Sequence, residues 1–255
     1  MTRLSARPAP RLPDNPLLKP KLPLYEQVRR AILMSLSHGV LRAGDALPSE
    51  AVLAERYQVS VGTVRQAVAL LAREGVLQRT QGVGTFVTSY STKPYINAFH
   101  RFTNDAAGSI VPFVMRLVRF ERVAASAHPQ AAGKLALPRS AELIHALRVY
   151  SWQNEDAGIS ELWLPAERFC KMTAENLARH AGSLYAYYER DLGVSIIRTE
   201  DSFRAKIFTP ELAALGQFSA GAPYLELSRV SYSFDNQPVE YRLSCCTTEK
   251  YHLEL

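Results

Sequence analysis

The stretch that decides the fold is residues 47–87, LPSEAVLAERYQVSVGTVRQAVALLAREGVLQRTQGVGTFV. Ser49 supplies an N-cap just after Pro48, and Leu53, Ala54 and Tyr57 form an apolar stripe at helical spacing. Gln58-Val59-Ser60 is a tight turn, with Ser60 placed to cap a second helix. In that helix Val64, Ala67, Val68 and Leu71 fall at i, i+3, i+4 and i+7, so one face is dry and packs inward. The opposite face carries Gly62, Thr63, Arg65, Gln66 and Ala69 and is left to read a partner. After Gly75 the period becomes that of a strand in Val76-Leu77-Gln78-Arg79-Thr80, followed by Gln81-Gly82-Val83-Gly84 and Thr85-Phe86-Val87. Two glycines in a four-residue turn permit positive φ and a close backbone approach, which suits a hairpin tip pressed against a polyanion.

The charge distribution points the same way. Residues 1–88 hold 12 Lys and Arg against 6 Asp and Glu, whereas the remaining 167 residues hold 18 of each. The formal excess of +6 therefore belongs to the segment with the helix-turn-helix pattern, as expected of a domain that neutralises phosphates. The partner this implies is double-stranded DNA.

Working outward, residues 1–22 are a basic tail with prolines at 8, 10, 13, 16 and 20, too many for a regular helix or a central strand. Leu24 to Ser37 is a first helix with Tyr25, Val28, Ile32 and Leu36 inward and Arg29 and Arg30 outward, closed by His38-Gly39. The DNA-binding unit thus covers residues 23–88, and residues 89–98, polar and without periodicity, form a linker. The segment 99–255 changes character. Residues 110–123, 142–153, 158–164, 195–205, 223–234 and 239–247 read as strands, and 182–192 and 210–217 as helices, with a shorter one in 127–137. Asp235-Asn236-Gln237-Pro238 is a turn that makes the last two long strands an antiparallel hairpin. The fold class is α+β.

The residues Tyr25-Glu26-Gln27-Val28, Leu47-Pro48-Ser49-Glu50, Thr63-Val64-Arg65-Gln66-Ala67 and Arg79 through Val87 together resemble the winged helix-turn-helix of the GntR family. The resemblance implies a dimeric transcription factor on a palindromic operator, controlled by a small effector. Its DNA contacts would fall on Ser49, Thr63, Arg65, Gln66, Arg79, Gln81, Gly82 and Gly84. Many members carry Arg after the Pro-Ser-Glu and after the turn Ser, where this chain has Ala51 and Val61.

From residue 99 onward the chain resembles the UTRA effector domain of the HutC branch, which has a chorismate lyase-like fold. The resemblance rests on the order and spacing of Leu147-Arg148-Val149-Tyr150, Leu162-Trp163-Leu164-Pro165, Ser183-Leu184-Tyr185, Leu192-Gly193-Val194 and Gln237-Pro238-Val239-Glu240-Tyr241. Ser183 lies at a helix start where free N–H groups favour an anion, and Arg148 can pair with that anion. Glu161 and Glu240 can accept from ligand N–H or O–H groups, and Tyr185 is a polar wall. The resemblance supports Arg148, Ser183, Tyr185 and Glu240, and Tyr150 completes the candidate effector contacts. Phosphosugar-binding relatives carry a second Arg where this chain has Tyr150, and a Tyr where it has Cys246. The expected effector is a small organic acid with one negative charge, aromatic or amino-acid-derived.

Other classes find little support. The six histidines, at 38, 100, 128, 145, 180 and 252, show no metal-ligand spacing, and neither a Gly-x-Ser-x-Gly elbow nor a phosphate loop occurs. No catalytic residue, metal or cofactor is expected. Cys170, Cys245 and Cys246 give an odd count without a disulfide framework, and no apolar run approaches the ~20 residues of a membrane span, so a cytoplasmic protein is expected.

Overall fold

The computed structural model describes residues 22–37, 39–89, 102–105, 109–110, 113–180, 183–234 and 236–253. The expected basic tail and nearly all of the expected linker lie outside the described residues. The chain divides into two compact units, with the boundary near residue 90.

The N-terminal unit holds α1 (Leu24–Ser37), α2 (Glu50–Tyr57), α3 (Val61–Arg73), β1 (Leu77–Thr80) and β2 (Gly84–Val87). Ser49 caps α2 through Val52 N, and Ser60 caps α3 through Thr63 N. Between them Gln58 takes the left-handed conformation, φ 53°, and its N–H reaches back to Ala54 and Glu55 carbonyls, which makes the turn tight. Val64, Ala67, Val68 and Leu71 are buried, as their spacing dictates, and so are Val28 and Ile32 on α1 and Leu53 and Tyr57 on α2, the two helices that α3 packs against. Thr80 pairs with Gly84 across the tip of the hairpin. Gly82 and Gly84 sit at φ +74° and +145°, so the expected use of two glycines at this turn is met.

The C-terminal unit begins with β3 (Phe102–Asn104), β4 (Ser109–Ile110), β5 (Val114–Ala124), α4 (Pro129–Lys134), β6 (Glu142–Trp152), β7 (Glu155–Pro165) and α5 (Ala174–Arg179). It continues with α6 (Leu184–Tyr187), β8 (Arg198–Ile207), α7 (Pro210–Ala213), β9 (Pro223–Tyr232), β10 (Pro238–Thr247) and β11 (Tyr251–Leu253). Six long strands form one antiparallel sheet in the order β5-β6-β7-β10-β9-β8, and β11, β3 and β4 form a small second sheet. The class is α+β with an antiparallel sheet.

Two helices are shorter than expected. The one over 182–192 is a single α-turn, α6, that widens into a π-type turn over Tyr188–Leu192 and stops at Gly193 in the left-handed region. The one over 210–217 ends at Ala213, because the chain is drawn aside where Gln217 N–H donates to Asp156 Oδ2 at 2.9 Å.

Strand alternation gives the six-stranded sheet two different faces. On one, Leu143, Trp163, Val230 and Tyr241 pack under α4, and Leu147, Val149, Ile159, Tyr224 and Cys245 pack against Phe208 and Ala213. The other carries a row of polar and charged side chains set by register. Arg148 pairs with Ser160, Ser160 with Ser244, Arg242 with Arg229, and Glu240 with Ser231. Gly158 keeps β6, β7 and β10 tight beside this row. A Cβ there would lie 2.0 Å from the Cys245 carbonyl oxygen and 2.2 Å from the Tyr150 hydroxyl.

Candidate functional site

There are two candidate surfaces, one in each unit. On the first, Arg65, Gln66, Gln81, Gly82 and Gly84 are exposed along α3 and the hairpin tip. Ser49 and Ser60 spend their hydroxyls as caps, and Thr63 Oγ1 lies 2.9 Å from Ser60 Oγ. Arg65 Nε donates to Glu50 Oε2 at 2.9 Å, and Arg79 Nη2 to Glu50 Oε1 at 3.2 Å. A groove of about 730 Å³ between the start of α2 and the hairpin is lined by Glu50, Val68, Arg79 and the tip residues. Glu50 is absent from the expected contact set, because nothing in a Pro-Ser-Glu triplet reveals that its carboxylate meets two arginines 15 and 29 residues away.

The second surface is the polar face of the six-stranded sheet. Arg148 and Arg242 are 2 % and 3 % exposed, and Glu240 is 0 % exposed. Glu240 accepts from Arg242 Nη2 at 2.6 Å, Tyr188 OH at 2.8 Å, Ser231 Oγ at 3.1 Å and Tyr185 OH at 3.2 Å. Arg242 also lies over the Tyr185 ring, 5.3 Å from its centroid. Burial works to raise the Glu240 carboxyl, but the charge of Arg242 and the donated hydrogen bonds hold it below the usual carboxylate range. Burial, helped by Glu240, takes the Tyr185 phenol up to about 12. Arg229 is matched separately by Asp201 at 2.6 Å.

Arg148 stands apart from this network. Its Nη1 is buried without a hydrogen-bond partner among the described residues, as are Ser160 Oγ, Ser244 Oγ, Arg242 Nε and Tyr187 OH. Burial pushes the Arg148 guanidinium down to about 10, and the charge of Arg242 adds to the effect, yet it stays protonated at neutral pH. His180 is close enough to feel that charge. Burial lowers its imidazole, Arg148 lowers it further, and its ring stacks on Tyr187 at 4.8 Å.

Of the expected effector residues, the structure brings Arg148, Tyr185 and Glu240 onto this face. Ser183 borders it as the cap of α6, its Oγ accepting from Ala186 N at 3.4 Å. With α6 only four residues long, the helix-dipole argument for an anion at Ser183 loses most of its force. Tyr150 projects from the same face but is fully buried, edge-on to Phe113 at 5.2 Å, and its hydroxyl donates to the Cys245 carbonyl. Glu161 lies on the reverse face, one residue out of phase with Arg148, where its carboxylate is 2.9 Å from His145 Nε2. The position across from Arg148 belongs to Ser160. Ser160, Ser244, Arg242, Tyr188 and His180 were not anticipated, since only the strand register assembles them.

On that reverse face His145 is bracketed by two carboxylates, Glu121 at Nδ1 and Glu161 at Nε2, both at 2.9 Å, and stacks on Trp163 at 4.0 Å and 10°. Burial pulls its imidazole down, but the two hydrogen bonds and charges prevail and its pKa is raised. Among the described residues no helix is long and apolar enough to cross a membrane.

Comparison with known proteins matches each unit to a described family. Residues 24–87 match the family described as bacterial regulatory proteins, gntR family, and residues 113–252 match the UTRA domain. The "Probable fructoselysine utilization operon transcriptional repressor" of Escherichia coli is 25% identical over 232 residues, 91% of this chain and 93% of its own. The mannosyl-D-glycerate transport/metabolism system repressor MngR of Escherichia coli is 28% identical over 233 residues, 91% and 95% of the two chains. The ligand-binding domain of a GntR-family transcriptional regulator from Bordetella bronchiseptica superposes with a TM-score of 0.57 at 30% identity, covering 61% of this chain and 94% of that one. With a GntR DNA-binding head followed by an effector domain that spans more than half its length, this chain belongs to the UTRA-domain family of GntR regulators and is a DNA-binding transcriptional regulator, not an enzyme.

Proposed function

We propose that the chain is a homodimeric cytoplasmic repressor whose hold on a palindromic operator is set by a small organic monoanion in the C-terminal unit. Two copies of α3 enter major grooves about one helical turn apart or a multiple of it, with the hairpins on adjacent phosphates or minor groove. Thr63, Arg65 and Gln66 contact base edges or phosphates, while Arg79, Gln81, Gly82 and Gly84 form the wing contact, with Ser49 beside them. The effector's anionic group sits on Arg148, with Ser160, Ser244 and Ser183 around it and Tyr185 as a wall. Tyr150 and Glu240 shape the site from behind, and Glu161 acts from the other face.

What carries this reading is a charge count. Two buried guanidiniums, Arg148 and Arg242, face one buried carboxylate, Glu240, which leaves one positive charge uncompensated. A buried, unpaired charge is costly, and one anionic ligand group offsets it, whereas a dianionic phosphate overshoots. Effector binding shifts the DNA-binding equilibrium only as far as its affinity differs between the two states.

Calorimetric titration with a panel of small monocarboxylates and a hexose phosphate tests the assignment. A carboxylate that binds and alters the mobility shift of promoter DNA is the expected result. Tight binding of the hexose phosphate with no response to carboxylates would reject it.

A further inference from the structure

Within residues 22–89 the described head holds seven arginines and no lysine against five acidic residues, so four of the six excess positive charges lie in residues 1–21. Four of those arginines are already in ion pairs. Arg29 and Arg30 are bound on α1, by Glu26 and, for Arg29, by Glu74, while Arg65 and Arg79 share Glu50. The folded head is therefore far less basic than its sequence segment suggests.

Glu50 is the first residue of α2, and its one carboxylate ties together α2, the reading helix and the hairpin. The three side chains are 29 %, 64 % and 48 % exposed for Glu50, Arg65 and Arg79, so a duplex can reach the cluster without unfolding anything. Arg65 is held through Nε, which leaves the Nη1 and Nη2 end of its fork for the O6 and N7 of a guanine. Arg79 is held through Nη2 and presents the rest of its guanidinium.

We propose that Glu50 is a specificity-determining positioning residue, holding Arg65 and Arg79 as one registered pair and opposing loose seating on phosphates. The proposal rests on the placement of Arg65 and Arg79 at DNA given above. A phosphate approaching either arginine meets a fixed negative charge a few ångströms behind it, and that repulsion acts on every sequence alike. A guanine edge is neutral and answers only to the orientation of the fork, which Glu50 supplies. The carboxylate thus weakens binding to arbitrary duplex more than it weakens binding to the site the arginines fit.

The test uses the full-length protein, a duplex selected by the wild type from a random pool, and a scrambled duplex of equal length and composition. Anisotropy titrations at low and moderate salt compare wild type, Glu50→Gln, Glu50→Asp, Arg65→Ala and Arg79→Ala. Glu50→Gln is expected to bind the scrambled duplex about threefold to tenfold more tightly, to show a steeper salt dependence by about one counterion, and to lower the selected-to-scrambled ratio at least tenfold. Glu50→Asp, which keeps the charge, retains most of the ratio. A merely structural role for Glu50 lowers the melting temperature and weakens both duplexes equally, which would overturn the proposal. An unchanged ratio in Glu50→Gln, with Arg65→Ala or Arg79→Ala still weakening the selected duplex, overturns it alone and spares the contact assignment. No loss in either arginine variant overturns both.

Discussion

The molecule sets a carboxylate against arginine twice, in opposite media. Glu50 sits on the surface, and its pairs with Arg65 and Arg79 are open to water. Glu240 sits in the interior, where Arg242 matches it and Arg148 has no such partner. Exposed pairs contribute about 0–1 kcal/mol and exchange readily, so the head can trade them for phosphate and base contacts. Buried charges cannot be traded for solvent, so under the proposed assignment the polar sheet face answers to the charge and shape of one small partner. In the proposed function the same residue types thus serve a salt-sensitive reader in one unit and a charge-counting receptor in the other.

The comparison breaks most visibly at Glu240. Glu240→Ala strands Arg242 as well as Arg148 in the interior, and urea denaturation is expected to show a loss of about 3–5 kcal/mol. Next comes Arg148→Met, with effects of opposite sign on two measurements. Carboxylate affinity measured by calorimetry falls by about 2–5 kcal/mol. The stability of the unliganded protein stays level or rises by up to about 2 kcal/mol, since an unpaired buried charge is gone. A melting temperature that drops sharply in this variant would mean that Arg148 is paired after all.

On the surface side, Arg65→Ala weakens operator binding by about 1–3 kcal/mol and flattens the salt dependence, while effector affinity is retained. An unchanged mobility shift counts against its placement at DNA. The smallest effect is that of His145. Its pKa is raised in the folded state, so its contribution is fully present below the ordinary imidazole value of about 6.5 and is lost as pH rises through the raised one. With Glu121 43 % and Glu161 31 % exposed, screening limits this to at most about 1 kcal/mol. Denaturation midpoints compared near pH 6 and pH 9 should show the decline in wild type and a flatter profile in His145→Gln.

How much of this was legible in the sequence depends on the period involved. The head was readable because Val64, Ala67, Val68 and Leu71 repeat at helical spacing, and Ser49 and Ser60 announce the helix starts. A helix declares its buried face within its own residues. A sheet does not. Arg148 and Glu240 are recognisable one at a time, but that Ser160 and Ser244 join them follows only from register. A one-residue difference in phase sends Glu161 to the opposite face, to His145. The pairing of β6 with β7 is fixed by a two-residue turn, Gln153 at φ 51° and Asn154 at φ 66°, which the strand pattern ran past. The charge asymmetry was real but misplaced, since it belongs more to Arg3, Arg7, Arg11, Lys19 and Lys21 than to the folded head. Strands as short as β3, β4 and β11 carry too few residues for any alternation to emerge.

Gly158 has an evolutionary corollary. With a backbone oxygen and a phenol crowding its α-carbon, even alanine is too large, so lineages descending from this sequence inherit the rung on which the strands meet. Change is then left to the neighbours two residues along the same strands, at 148, 160 and 244, while the ladder itself stays put.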